Sequence, residues 1–143
     1  MFEWIKSKFP KVPKSKHDLT YAKQKYDWDC GQACLKMLGY DSYRIFPNKE
    51  LSPLELKAKI PNVIDMLGEK ESYDLFFEKP MMFSIDIPWL DYGHWILCYK
   101  DKTYCPSLGV FYSKYYKEGF RRLAYQVPFF HEIVQKQKEE NIK

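Results

Sequence analysis

Three residues of this chain have side chains and neighbours suited to acyl transfer: Cys30, His94 and Gln24. Cys30 stands in QKYDWDCGQACLKMLGY, between Asp29 and Gly31, where an apolar-periodic segment begins. At the first turn of a helix the backbone N–H groups have no intrahelical partners, and the macrodipole favours an anion. Thiols in such places ionise more readily and become better nucleophiles at neutral pH. The competing reading is structural, because cysteine is among the most buried residue types and Cys30 lies on the apolar face of its segment. His94 is one of three histidines, with His17 and His131. It follows Gly93 and precedes the apolar run WILCY. Alone it reads as a packed core group; paired with a helix-start cysteine it is a general-base candidate. Gln24 lies six residues before Cys30. Its amide can donate to a developing oxyanion, with the Cys30 backbone N–H as the second donor. Standing alone, it would read as a surface glutamine.

These residues need elements to hold them. Residues 28–39 read as a helix, since Cys30, Ala33, Cys34, Met37 and Leu38 recur at helical spacing. Asp27 or Asp29 is placed to cap its start and Gly39 to close its end. LSPLELKAKI gives a second helix with Ser52 as N-cap and Pro53 at the first helical position, and Pro61 ends it. NVIDMLGEK reads as a further short helix ending near Gly68. PMMFSIDIP (80–88) and GHWILCYK (93–100) then read as strands. Asp101 and Lys102 form a tight turn, TYCP (103–106) starts a return strand, Leu108–Gly109 marks another turn, and VFYSKYY extends the sheet. FRRLAYQVPFF fits neither period cleanly, and HEIVQKQKEENIK reads as a solvated terminal helix. Helices followed by an antiparallel sheet place the chain in the α+β class.

The chain has 143 residues, enough for one domain with a sizeable core. A net charge of +4 is too weak to point to nucleic acid, so no nucleic-acid partner is expected. No apolar run approaches the roughly 18 residues of a membrane span. MFEWIKSKF has no secretory apolar core, so the expected setting is cytoplasmic and reducing. The four cysteines are then expected as free thiols, catalytic groups or ligands rather than a disulfide framework. Zinc on Cys30, His94 and Cys105, with Cys34 or Cys98 as a fourth ligand, lacks paired C-x-x-C spacing, so no metal or other cofactor is expected. Cys34 and Cys98 read as core, Cys98 on the same strand face as His94. Three stretches are expected: an arm over 1–19, a domain over 20–130, and a solvated tail over 131–143. The arm spaces Lys6, Lys8, Lys11, Lys14 and Lys16 around Pro10 and Pro13, with Phe2, Trp4, Ile5 and Phe9 as an amphipathic turn. It reads either as a contact to a membrane surface or anionic partner, or as a strap on its own domain.

Taken together, QKYDWDCGQACLKML followed by GHWILCYKDKTYCPSLG resembles the papain-like cysteine peptidase superfamily. Within it, the likeness is greatest to the bacteriocin-leader-processing (double-glycine) peptidases and their stand-alone relatives. It spans roughly residues 20–125: a Gln, five residues, Cys-Gly and an apolar helix, then Gly-His before an apolar strand and a hairpin. The DWDCG wording is also similar to a family named for a guanylyl-cyclase domain, which shares the papain-like fold. The resemblance implies an N-terminal helix carrying the Cys packed on an antiparallel sheet carrying the His. It implies Cys30 as nucleophile, His94 as base and acid, and Gln24 as oxyanion donor, acting on a peptide or protein substrate. One position departs from the pattern: where the family has Asp-Pro, this chain has Cys105-Pro106. The Asp would orient the imidazole, and losing such a residue costs about 10⁴ in turnover in a serine-protease analogue. A neutral thiol orients poorly, whereas a thiolate can accept the hydrogen bond. Asp91 and Asp101 are near in sequence; Asp91 is placed to approach His94, whereas Asp101 sits in the turn and is expected to point away. Two functions follow: a cysteine hydrolase cleaving peptide or isopeptide bonds, or a papain-like fold kept as a protein-binding module after catalysis was lost.

Overall fold

A computed structural model describes residues 12–16, 18–66, 76–86, 93–115 and 122–142. Helix α1 (Cys30–Met37) starts at Cys30 itself, with Asp29 in the N-cap position. Its end is closed by glycine as the sequence predicts. Gly39 takes φ +94°, its N–H meets the Lys36 carbonyl, and the Tyr40 N–H meets the Leu35 carbonyl. This double bond pattern satisfies two orphan carbonyls and needs a left-handed residue at Gly39. Helix α2 (Ser42–Ile45) is a single turn not anticipated from the sequence. Helix α3 (Pro53–Lys59) has Pro53 in its first turn, and the Ser52 hydroxyl accepts the Glu55 N–H.

The strands are β1 (Ile64–Asp65), β2 (Phe77–Asp86), β3 (Gly93–Lys100), β4 (Lys102–Cys105), β5 (Gly109–Tyr112) and β6 (Arg122–Gln126), with a 3₁₀ turn over Ser113–Tyr115 and a final helix α4 (Phe130–Ile142). They form one sheet in the order β1-β6-β2-β3-β4-β5, every pairing antiparallel. The class is therefore α+β. Along β3, Trp95 and Leu97 face α1, and Ile96 and Cys98 face the other side, with His94 in phase with them. Both faces of β3 are buried, which is why its sequence is a continuous apolar run rather than an alternation. The first core gathers Cys34 and Leu35 of α1 and its C-cap Leu38 with Met82, Leu97, Tyr104 and Tyr125. The second holds Met81, Phe83, Ile85, Ile96, Cys98 and Phe111.

Several expectations need correction. Ile64–Asp65 is an edge strand paired with β6, not part of a short helix; Asn62 at φ +64° turns the chain, and the Met66 N–H bonds the Ala124 carbonyl. The remainder of that expected helix, including Gly68, lies outside the described residues. The ambiguous segment supplies β6, an inner strand, with Leu123 and Tyr125 on the α1 face and Ala124 on the other. Strand β2 starts three residues earlier than expected, at Phe77, and tolerates Pro80 because its register with β3 shifts between Phe77 and Met81. The β3–β4 turn falls on Lys100 (φ +54°) and Asp101, so Lys102 belongs to β4. Its side chain is buried and ion-pairs with Asp18, while also donating to the Pro13 carbonyl. Helix α4 is docked rather than wholly solvated: Ile133 is buried, and the Phe130 N–H bonds the Leu38 carbonyl. Residues 1–11, which carry most of the basic arm, and His17 lie outside the described residues.

Candidate active site

The site forms where β4 leaves the sheet and β3 continues. The β3–β4 ladder ends with Leu97 opposite Tyr104, so the Trp95 N–H lies beyond its last pair. Cys30 Sγ takes that N–H at 3.3 Å. The first residue of α1 thus completes the hydrogen bonding of β3, which fixes the thiol beside the strand that carries His94. Gly31 permits this approach. A Cβ on it would lie 2.7 Å from Leu51 Cβ and Cδ2 and 2.9 Å from Trp95 Cδ1, closer than packed atoms sit. The Trp95 indole is fixed in turn by Nε1 donating to the Leu51 carbonyl at 2.8 Å.

His94 is 8% exposed. Its Nε2 lies 3.4 Å from Cys105 Sγ, and the Cys30 sulfur acts on the ring more weakly. Cys105 in turn lies 3.4 Å from the Ser107 hydroxyl. Both sulfurs therefore bear on one imidazole, Cys105 the more strongly. Burial is the largest single influence on His94 and favours its neutral form, but Cys105 and then Cys30 outweigh it and raise its pKa. Burial likewise pushes Cys105 up, yet the His94 hydrogen bond and charge, helped by Ser107, bring it below the ordinary thiol value. The direction at both ends is the same: the pair favours thiolate and imidazolium over two neutral groups.

The loop before α1 is held from both sides. On one side, the Leu19 N–H donates to the Tyr104 hydroxyl, the Tyr21 hydroxyl to the Cys105 carbonyl, and the Gln24 N–H to the Pro106 carbonyl. On the other, the fully buried Asp29 accepts the Lys25 and Tyr26 N–H groups, each at 2.8 Å, and the Tyr43 hydroxyl at 2.6 Å. Asp29 was expected as a helix cap; it occupies that position but makes no side-chain cap bond. Its carboxylate instead ties the loop bearing Gln24 to α2. Burial, then the hydrogen bond to Asp29, pushes the Tyr43 phenol up, so it stays a donor.

Gln24 is brought to the same end of the sheet but its amide is turned into its own loop. Nε2 donates to the Tyr26 carbonyl at 2.6 Å, and Oε1 is buried with no hydrogen-bond partner among the described residues. A cavity of about 320 Å³ opens beside Cys30, lined by Trp28, Trp95, Asp27, Glu50 and Ser84 among others. Neither Gln24 nor His94 lines it, so Cys30 is the member of the site that meets it.

The four cysteines are free thiols. Cys34 is a core residue: burial first, then the neighbouring sulfurs of Cys30, Cys105 and Cys98, pushes its thiol well up. Cys98 packs in the second core, 3.4 Å from the Thr103 hydroxyl. Among the described residues, no group of three or more His, Cys, Asp or Glu side chains is arranged to hold a metal ion. Asp101 is an exposed turn residue, and Asp91 lies outside the described residues. Sequence reasoning passed over Gly31, Tyr43 and Ser107. Ser107 had a local signal, two residues from Cys105; the partnership of Tyr43 with Asp29 had none.

No family model, no curated protein and no solved structure matches the chain. No helix among the described residues is long and apolar enough to cross a membrane.

Proposed function

We propose that the chain is a papain-like thiol hydrolase with Cys30 as nucleophile and His94 as its acid–base partner. The observation that carries this reading is the buried imidazole of His94, 3.4 Å from Cys105 and within the electrostatic reach of Cys30, with Cys30 at the first turn of α1 and facing a cavity. In the proposed reaction neutral His94 takes the proton of the Cys30 thiol as the sulfur attacks a carbonyl carbon, and the C–N bond of that carbonyl breaks. The amine leaves with the proton supplied by the His94 imidazolium, giving a thioester on Cys30. His94 then takes a proton from water, which hydrolyses the thioester and restores the thiol. The first-turn N–H groups of α1 receive the developing oxyanion. Gln24 joins them as a second donor when its amide turns from the Tyr26 carbonyl. Cys105, as thiolate, takes the place that a carboxylate fills in such sites: it fixes the imidazole and balances its charge. Peptide bonds are the first-choice substrate, with isopeptide, amide and thioester bonds sharing the same chemistry.

The second reading is a binding module on the same scaffold, favoured by Cys105 at the carboxylate position and by the inward-turned Gln24 amide. Residue-resolved alkylation with iodoacetamide separates the two. A hydrolase has Cys30 reacting well ahead of Cys34 and Cys98, with the advantage lost in His94→Ala. Equal, slow reaction of all the thiols with or without His94 leaves the binding module standing and removes the catalytic reading.

A further inference from the structure

The cavity beside Cys30 is acidic in a basic chain. Asp27 and Glu50 line it, and no lysine or arginine does among the described residues. Three carboxylates elsewhere are ion-paired: Glu55 with Lys49, Asp65 with Lys57, and Asp18 with Lys102. Asp27 and Glu50 have no ion-pair partner among the described residues, although the chain carries a net charge of +4. Two indoles, Trp28 and Trp95, form part of the remaining wall with Leu51, Pro53 and two serines. Trp28 is held flat against Tyr26, ring centroids 5.3 Å apart and planes within 5°. Trp95 is 4% exposed and anchored through its indole N–H. Fixed indole faces attract cations, and an apolar wall beside like charges concentrates their field.

We propose that this cavity binds a cationic group, an arginine or lysine side chain, flanking the bond presented to Cys30. The placement of the bond rests on the hydrolase reading above; the binding of the cation does not. The two carboxylates attract a guanidinium or ammonium, the indoles cover its alkyl stem and its face, and Ser84 supplies a neutral hydroxyl. An acidic side chain in the same place meets two like charges. The volume of about 320 Å³ suits one long side chain rather than an extended peptide.

The test uses the full chain and three probes of similar size: the Nα-acetyl amides of arginine, glutamine and glutamate. Binding is followed on the tryptophan indole N–H resonances in wild type and in the Asp27→Asn/Glu50→Gln double variant, which keeps side-chain shape. The arginine probe is expected to bind about tenfold more tightly than the glutamine probe at low ionic strength, with the preference shrinking in high salt. The double variant is expected to lose that preference. Equal binding of the three probes, no effect of the arginine probe on the indoles, or a preference that survives the double substitution each overturn the proposal. Cys30→Ser is expected to keep the arginine preference, so a failed hydrolase reading leaves this result intact. Conversely, His94-dependent alkylation of Cys30 with no charge preference in the cavity removes only the cation site.

Discussion

Replacing Cys105 tests how the imidazole is held. Burial acts first on His94 and drives it toward the neutral form; the hydrogen bonds and charges of Cys105 and then Cys30 reverse this and carry it up to about 10. Cys105, pushed up by burial, is brought down to about 7 by the His94 hydrogen bond and charge. Because that value is lowered, the thiolate is present above about 7 and lost as pH falls below it; because the His94 value is raised, the imidazolium persists until pH climbs to about 10. Cys105→Ser keeps the size of the side chain and removes its charge. A hydrogen bond to a charged partner contributes about 1.5–3 kcal/mol. At 1.36 kcal/mol per factor of ten, this is roughly a 10- to 100-fold change in the imidazole protonation equilibrium. We expect His94 to lose its proton at lower pH in Cys105→Ser, and kcat/KM on any substrate to fall by a similar factor. Cys105→Asp supplies an anion that survives at lower pH, so it is expected to restore His94 and move the acid limb of activity below 7. The assay is carbon-13 NMR of the histidine Cε1 positions across neutral and alkaline pH, with His94 assigned by its loss in His94→Ala. An identical His94 titration in wild type and Cys105→Ser would refute the reasoning, because a charge 3.4 Å away cannot be removed without effect.

Other expectations concern the scaffold. Gly31→Ala drives a methyl into Leu51 and Trp95, and overpacking of this kind costs about 1–3 kcal/mol, read as a lower melting temperature; an unchanged melt contradicts the close approach. Asp29→Ala leaves two N–H groups and a phenol without their acceptor and is expected to cost about 2–3 kcal/mol in chemical denaturation, with Tyr43→Phe nearer 1 kcal/mol. Equal losses in the two variants would show that the backbone bonds contribute nothing. Gln24→Ala is expected to lower turnover by about 10²–10³ with little change in melting, as for an oxyanion donor. A lowered melt with unaltered turnover would reduce Gln24 to a loop tie through Tyr26. Lys102→Met removes the buried partner of Asp18 and is expected to speed proteolytic cleavage ahead of residue 19.

The legible parts of the fold were those written in local pattern. Helical spacing, Ser52-Pro53 and Gly39 marked α1 and α3, and the two apolar runs marked β2 and β3. What escaped depended on partners far along the chain. Ile64–Asp65 has helix-like neighbours in sequence but gains its hydrogen bonds from β6, and β6 itself showed no clear period until its neighbours fixed its faces. The same division runs through the site. Cys30 and His94 carried local signals, a helix start and a strand start. The contact of His94 with Cys105, the Trp95 N–H on Cys30 Sγ, and the inward turn of Gln24 are matters of register and loop path, which spacing does not encode.

The hydrogen bond from Trp95 to Cys30 joins residues 65 positions apart, and the ties of Tyr21 and Leu19 to β4 span 84 and 85. Contacts of such separation demand that long loops close before they contribute, so they form late. During synthesis the thiol of Cys30 emerges well before its imidazole, and before the strand end that shields Cys105. A chain paused anywhere short of β3 therefore displays α1 without the Trp95 N–H that Cys30 accepts. Docking of β3 and β4 is what fixes the Cys30 sulfur and brings Cys105 to His94, and a copy truncated before β4 carries three of the four thiols and none of the ties to Tyr21 and Leu19.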